Sequence, residues 1–318
     1  MRHNILITSA GKRVALVRAF RDSMNRIFPE GKILTTDMNP KMAPAGYVSD
    51  GCFQVPAVSA ADYASSLLEI CRCNGIGMIV PTIDTELLLL ARCKPQFDAE
   101  GIAVIVSDPS FVAMCRDKRN TSDFFTAHSI RIPRPIDKAN PTFPLFAKPY
   151  DGSLSRNLHY IARAEELTPA ILSDPKLIFM EYIDKSCYKE YTVDMYYGRD
   201  CELKMAVPRE RIEIRAGEIN KGRTEKGALV TYLRSRMSRI EGCVGCICVQ
   251  LFHDSETGDT VGIEINPRFG GGYPLSYAAG ADYPERLIRE YFLGERLVYS
   301  DDWEDGMLML RYDDAVFV

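Results

Sequence analysis

The sequence predicts an α/β domain built on a parallel sheet, followed by an α+β domain of mostly antiparallel sheets. Three observations carry this expectation. Between Asn4 and Asp108, short apolar runs alternate with stretches whose apolar residues recur at helical spacing. A segment with four prolines, IRIPRPIDKANPTFP, then interrupts the pattern. Beyond it, strand-like runs follow one another up to Asn266 with polar turns between them.

In chain order, NILITSA reads as a strand and GKRVALVRAFRDSMNRIF as a helix; KILTTDMN is a second strand and ADYASSLLEICRCNG a second helix. IGMIVPTID, TELLLLARCKPQFDAEG and IAVIVSD continue the alternation as strand, helix and strand. Such alternation gives a parallel sheet covered by helices, and ligands of such sheets sit at the carboxyl ends of the strands. Asp37, Thr82, Asp84 and Glu86 fall at those ends. The first turn, TSAGKR, has a single glycine, so a dinucleotide fingerprint is missing. Thr8 or Ser9 there either caps the following helix or contacts a ligand.

SDPSFVAMCRDKRNTSDFFTAHS is helical, and the proline segment after it marks a domain boundary. LFAKPYDGSLSRNLHYIA then reads as strand, polar glycine turn and strand. A helix is expected around 163–173, then the strand KLIFMEYI and further strands to Asn266. The remainder, YPLSYAAGADYPERLIREYFLGERL, is mostly helical.

Bulk properties narrow the function classes. A chain of 318 residues exceeds what one core usually supports, so two or three subdomains are expected. A net charge of −4 with no block of like charge argues against sequence-independent nucleic-acid binding. No apolar run reaches the ~18–20 residues needed to cross a membrane, and the N-terminal apolar run is too short for a signal-peptide core. The ten cysteines are scattered, as expected of reduced, buried thiols in a cytoplasm. Cys243, Cys246 and Cys248 lack a second ligand pair at zinc spacing, and Cys71 and Cys73 offer a poor one, so core packing is the better reading.

The residues that carry chemistry begin with GIEINPRFGGG, Gly262 to Gly272. Glu264 and Asn266 are two apart in a strand and share a face. A hairpin centred near Thr257 puts Gln250 of CICVQLF opposite Glu264. One carboxylate and two amide oxygens are the hard donors that magnesium prefers. Arg268 follows as a phosphate partner, and Gly270–Gly272 would allow close backbone approach. Lys148 ends the apolar strand LFAKP beside the turn YDGSLSRN, a plausible phosphate cradle that is not a P-loop. Glu190, Thr192 and Asp194 share a face of the next alternating strand, where carboxylates need a partner such as ribose hydroxyls or an arginine. His253 reads as a solvated turn residue.

This ordered set resembles the ATP-grasp ligases, and most closely the ATP-grasp units of the carbamoyl-phosphate synthetase large subunit. The resemblance spans nearly the whole chain through VPTIDTELLLLA, the DK helix, FAKPYDGSLSRN, MEYI, KEYTVDM, and VQLF followed by GIEINPRFGGG. It implies a pre-ATP-grasp α/β domain over residues 1–112 and an ATP-grasp domain over 113–318. The latter would comprise a small lid subdomain at about 125–182 and a larger subdomain at about 183–318. It implies that Lys118 and Lys148 contact ATP phosphates and that the loop Asp151–Ser155, with Gly152, Ser153 and Ser155, closes over the nucleotide. Glu181, Tyr182 and Ile183 would line the adenine pocket, and Glu190 would hold the ribose hydroxyls. Gln250, Glu264 and Asn266 would ligate Mg2+, and Arg268 would stabilise the transferred phosphoryl group.

The chain has one such unit where the synthetase has two, as in D-alanine–D-alanine ligase, biotin carboxylase and the ligase of pyrrolysine biosynthesis. The implied activity is an ATP- and Mg2+-dependent, ADP-forming ligation of a small-molecule carboxylate to an amine. The alternatives are a carboxyphosphate- or carbamoyl-phosphate-forming synthetase acting on bicarbonate, and a non-catalytic ATP-binding protein. Neither nucleic acid nor membrane is an expected partner; a homodimer is compatible with related folds. Within AVPRERIEIRAGEINKGRTEKG, Arg215 and Lys221 are expected to meet the acceptor carboxylate or acyl phosphate; an exposed, charge-paired hairpin is the alternative.

Overall fold

The computed structural model describes residues 2–152, 157–215 and 217–318. Its first third follows the order β1 (Asn4–Thr8), α1 (Val14–Ile27), β2 (Ile33–Asp37), α2 (Pro44–Tyr47), β3 (Cys52–Gln54), α3 (Tyr63–Cys73), β4 (Ile76–Pro81), α4 (Asp84–Asp98) and β5 (Ala103–Val104). The strands form one parallel sheet in the order β3-β2-β1-β4-β5. Ile5, Leu6 and Ile7 of the central strand are fully buried, as a parallel strand covered on both faces must be. The three-residue edge strand β3 was not foreseen, because so short a run carries no readable period.

At the first turn the capping alternative fails. Helix α1 begins at Val14 with Arg13 preceding it, and no side chain caps it. Ser9 Oγ instead donates to Glu86 Oε2 at 3.0 Å, and the buried Thr8 hydroxyl has no partner among the described residues. Glu86 is fully buried. It accepts from the backbone N–H groups of Thr82 and Ile83 at 2.9 and 3.2 Å and from the Tyr63 hydroxyl at 2.7 Å. With four donors on its two oxygens, this carboxylate closes the turn into α4 and has no capacity left for a ligand.

Two helices follow, α5 (Pro109–Arg116) and α6 (Lys118–Ala127), separated by Asp117, whose carboxylate caps α6 through the Arg119 N–H. Residue 112 lies inside α5. A small antiparallel sheet, β7-β6-β8, is formed by β6 (Leu145–Pro149), β7 (His159–Ile161) and, after a 3-10 turn (Ala164–Glu166) and α7 (Pro169–Ser173), β8 (Leu177–Glu181). The single helix expected at 163–173 is thus split in two. Pro169 opens the second piece.

The large sheet contains β9 (Lys189–Tyr197), β10 (Leu203–Arg215), β11 (Glu218–Thr224), then after α8 (Ala228–Met237) β12 (Gly245–His253) and β13 (Thr260–Asn266). Helices α9 (Tyr273–Ala278) and α10 (Tyr283–Phe292) precede a last edge strand, β14 (Leu308–Leu310), which periodicity did not reveal. The order is β13-β12-β9-β10-β11-β14, antiparallel throughout. One core runs through both sheets: Ile5, Val17 and Phe20 pack with Tyr196, Phe269, Tyr283 and Leu287. The Phe20 and Phe269 rings meet edge to face at 5.7 Å. The three-stranded sheet has its own small core of Leu145, Ala147, Ile161, Leu177 and Phe179. Among the described residues no helix is long and apolar enough to cross a membrane.

Candidate functional site

Strand β12 pairs with β13 so that Gln250 lies directly opposite Glu264, the register expected from the hairpin. Asn266 is two residues further along β13 on the same face, and its amide N–H donates to Glu264 Oε1 at 3.2 Å. Gln250 spends its N–H on Glu190 Oε1 at 2.6 Å. Both amides therefore keep their oxygens free beside one carboxylate. That donor chemistry fits a hard divalent cation. Cys248, opposite Asn266, spends its thiol on Asp194 and the Arg268 carbonyl.

Two ammonium groups reach this patch from other elements. Lys118, the first residue of α6, places Nζ 3.7 Å from Glu264 Oε2 and donates to the Gly152 carbonyl at 2.6 Å. Local spacing at the start of a helix does not report this contact, yet the Lys118 side chain is only 12% exposed. Lys148, on β6, reaches the Ile263 carbonyl of β13 at 3.5 Å and is buried. Burial pushes its ammonium down to about 8, Lys118 adds to the shift, and Glu264 opposes it. A desolvated, under-compensated ammonium is poised to take an anion.

Around Glu190 the strand face carries several partners. Its Oε1 receives Gln250 and lies 2.9 Å from Arg211 Nε, and its Oε2 receives Lys185 at 3.1 Å. Arg211 also holds the Thr192 hydroxyl at 3.1 Å and the Gly217 carbonyl at 3.1 Å. Asp194, two residues on, is paired bidentately by fully buried Arg209 at 2.7 and 2.9 Å. Ser276 and Cys248 donate to the same carboxylate at 2.6 and 3.1 Å. An arginine is thus the partner that each carboxylate of this strand required.

Asp194, Cys246 and Cys248 lie close enough together to bracket a metal ion. The four hydrogen bonds already on Asp194 fill its lone pairs, and burial pushes the Cys246 thiol up, away from the thiolate that a metal needs. Cys243, Cys246 and Cys248 are core residues, as their sequence pattern suggested.

Arg268 lies past the end of β13 and donates to Asp84 Oδ2 at 2.7 Å and to the Phe269 carbonyl at 3.1 Å, tying the metal-type patch to the first turn of α4. Its Nε is buried without a partner among the described residues. Glu181, at the end of β8, pairs with Arg131 and accepts from the Arg134 N–H at 3.1 Å. Next to it, Tyr182 packs on Tyr160 at 4.6 Å between ring centres, and Ile183 is buried. Gly152 is described. Ser153 and Ser155 lie outside the described residues.

Three expectations change. Arg215 and Lys221 are not brought to the cluster. They sit on an exposed hairpin, where Arg215 pairs with Asp313 at 3.1 Å and Lys221 with Glu213 at 2.7 Å. His253 is no solvated turn residue: it is buried at the end of β12, with Nδ1 2.9 Å from the Thr260 hydroxyl. The glycine run makes room for the chain's own side chains. A Cβ at Gly272 would stand 2.1 Å from Arg209 Nη1, and one at Gly271 2.5 Å from the Glu218 carboxylate carbon. Gly272→Ala should therefore break the buried Arg209–Asp194 pair and cost about 3 kcal/mol or more. Urea unfolding with a midpoint equal to wild type would show that the guanidinium can move aside freely.

Comparison with known proteins gives two family matches. Residues 5–105 match the family described as PylC-like, N-terminal domain. Residues 173–313 match the family described as ATP-grasp in the biosynthetic pathway with Ter operon. No curated protein matches the chain by sequence. Among solved structures, the chain is similar to the biotin carboxylase domain of 2-oxoglutarate carboxylase from Hydrogenobacter thermophilus, a complex with MgADP, ADP and bicarbonate. The TM-score is 0.72 at 15% identity, over 96% of this chain and 73% of that one. It is similar to N5-carboxyaminoimidazole synthetase from Staphylococcus aureus, with a TM-score of 0.69 at 14% identity over 93% and 78% of the two chains. It is also similar to L-amino acid ligase from Bacillus licheniformis, with a TM-score of 0.68 at 14% identity over 94% and 76%. At these identities the likeness is one of fold.

Proposed function

Because this chain belongs to the ATP-grasp superfamily, we propose that it is an ATP- and Mg2+-dependent ligase that joins a small-molecule carboxylate to an amine through an acyl phosphate. The observation that carries this reading is the convergence of Lys118, Lys148 and Glu264 from three elements, with Gln250 opposite Glu264. It unites two phosphate-type cations with hard oxygen donors.

In this reading Lys118 and Lys148 hold the nucleotide phosphates, and the segment that includes Gly152, Ser153 and Ser155 covers them. Glu181, Tyr182 and Ile183 border the adenine. Glu190 retains one unused lone-pair position, on Oε2, which suits a single ribose hydroxyl. Gln250, Glu264 and Asn266 would hold Mg2+, which when bound neutralises charge on the phosphate oxygens. The substrate carboxylate attacks the terminal phosphorus, the bond to the bridging oxygen breaks, and ADP departs. An amine then adds to the acyl carbon, expels inorganic phosphate and loses a proton. The chain's work is positioning and charge compensation, with no protein nucleophile. Arg268, with a free buried Nε, stands where charge on the transferred group would need a donor. Arg215 and Lys221 have no part in it. The ten cysteines are all unpaired thiols, in keeping with a cytoplasmic enzyme.

A screen for ADP release with Mg·ATP against amino acids, small carboxylates and bicarbonate tests the proposal. Release that requires both a carboxylate and an amine supports it. Release with bicarbonate alone favours a carboxyphosphate-forming reaction instead. Wild-type protein that binds no Mg·ATP in calorimetry would sink both.

A further inference from the structure

Arg131 lies between α6 and β6, in the proline segment to which the sequence pattern gave no chemistry. Its main chain joins the large sheet, where the Gly262 N–H donates to the Arg131 carbonyl at 2.8 Å. Its guanidinium reaches in two directions. Nη2 pairs with Oε1 of Glu181, the last residue of β8, and Nη1 donates to Asp259 Oδ2 at 2.8 Å. Asp259 sits in the turn between β12 and β13 and also accepts from the Tyr188 hydroxyl at 2.6 Å.

The connection from β8 to β9, residues 182–188, carries Tyr182 and Ile183, which border the adenine in the ligase reading. Both ends of that connection are fastened to one ion pair: Glu181 before it through Arg131, and Tyr188 at its end through Asp259. At the first end the hold is doubled. The Arg134 N–H donates to Glu181 Oε1 at 3.1 Å, and the Glu181 N–H donates to the Arg134 carbonyl at 2.9 Å. Both donors to the Glu181 carboxylate fall on Oε1, so Oε2 has none among the described residues. A carboxylate accepts and does not donate. An open oxygen there suits a base that presents an amino group and disfavours one that presents a carbonyl.

Folding stability does not account for the arrangement. The Arg131 and Asp259 side chains are 40% and 36% exposed, and ion pairs this open to water contribute little. What the pair does supply is a fixed course for the connection. A segment already held in its binding course loses less freedom when the ligand arrives.

We infer that Arg131 is a positioning residue for the nucleotide base: with Asp259 it fixes the 182–188 connection and the Glu181 carboxylate, and so favours adenine over guanine. The inference deepens the ligase reading and rests on it for the place of the base. It brings the segment after α6 and a turn of the large sheet into nucleotide recognition.

Calorimetry on the full chain with Mg·ADP, Mg·GDP and magnesium tripolyphosphate tests it. Wild type should bind Mg·ADP more tightly than Mg·GDP. Arg131→Gln should weaken Mg·ADP by about ten-fold, the worth of one charge-assisted hydrogen bond, and narrow the preference over Mg·GDP. Binding of tripolyphosphate, which has no base, should stay unchanged, a separation that general loosening of the fold would not produce. Arg131→Lys, with one ammonium in place of a two-ended guanidinium, should retain part of the preference. Asp259→Ala, which frees Tyr188 but leaves Arg131 on Glu181, should lose part of it. Mg·ADP affinity and preference unchanged in both Arg131→Gln and Asp259→Ala overturn the inference, as does equal weakening of all three ligands. Equal binding of the two nucleotides by wild type overturns it as well. Wild type that binds none of the three would sink the ligase reading, and this inference with it.

Discussion

Glu264→Ala should abolish turnover and weaken Mg·ATP binding by about 100-fold or more, since a hard cation loses its only carboxylate among Gln250, Glu264 and Asn266. A second effect acts in the same direction. Glu264 is the carboxylate that compensates Lys118 at 3.7 Å and that opposes the downward shift of Lys148. Without it, two ammonium groups face each other in a poorly solvated pocket. Glu264→Gln separates the contributions, because it keeps the oxygen donor and removes only the charge. It should leave some nucleotide binding while turnover stays lost. Calorimetry that finds undiminished Mg·ATP affinity in the alanine variant would refute the assignment of the metal patch.

Lys148→Met should produce the opposite signs on two readouts: nucleotide affinity falls by about 100-fold, as when a charged hydrogen-bond donor is lost, while the ligand-free protein becomes more stable. The stability gain follows from linkage. The folded group titrates at about 8, below the value of 10.5 for an unperturbed lysine. Below pH 8 both folded and unfolded chains carry the proton, and the full cost of burying the charge is present, up to about 3 kcal/mol. Between pH 8 and 10.5 the unfolded chain binds a proton that the folded chain does not, so wild type gains stability as pH rises. The difference in melting temperature between Lys148→Met and wild type should accordingly be largest near neutrality and shrink towards pH 10.5. Nucleotide affinity of wild type should decline above pH 8, and that decline should be missing from the variant. A methionine variant less stable than wild type at pH 7 would show that Lys148 is well compensated without ligand.

Much of this arrangement was legible in the sequence because local rules govern it. The α/β alternation gave the parallel sheet, and two-residue spacing with a polar turn gave the Gln250–Glu264 register. Lys148 was legible because a lysine closing an apolar strand conflicts with its surroundings. What escaped was set by partners distant along the chain. Arg268 and Asp84 are 184 residues apart in sequence, and no local period reports that they meet. Arg209 was one arginine among several until its pairing with Asp194 showed it to be buried, and only then did the role of Gly272 become clear. Thr8 and Ser9 looked like capping candidates because a short polar stretch before a helix often supplies one, yet no side chain caps α1. His253 and the edge strands β3 and β14 were missed for a related reason: burial and pairing there depend on what packs from outside the segment.

The continuous core that joins the parallel sheet to the last helices has a mechanical consequence. With Phe20 against Phe269 and α1 against α10, those two parts pack through one shared core. The three-stranded sheet is cushioned instead by five buried apolar residues of its own. Under the proposed reading, admission and departure of a nucleotide would fall to movement of that sheet. Lys148 belongs to that sheet and reaches the Ile263 carbonyl of β13, so its proposed hold on phosphate would depend on how the sheet sits against the large one.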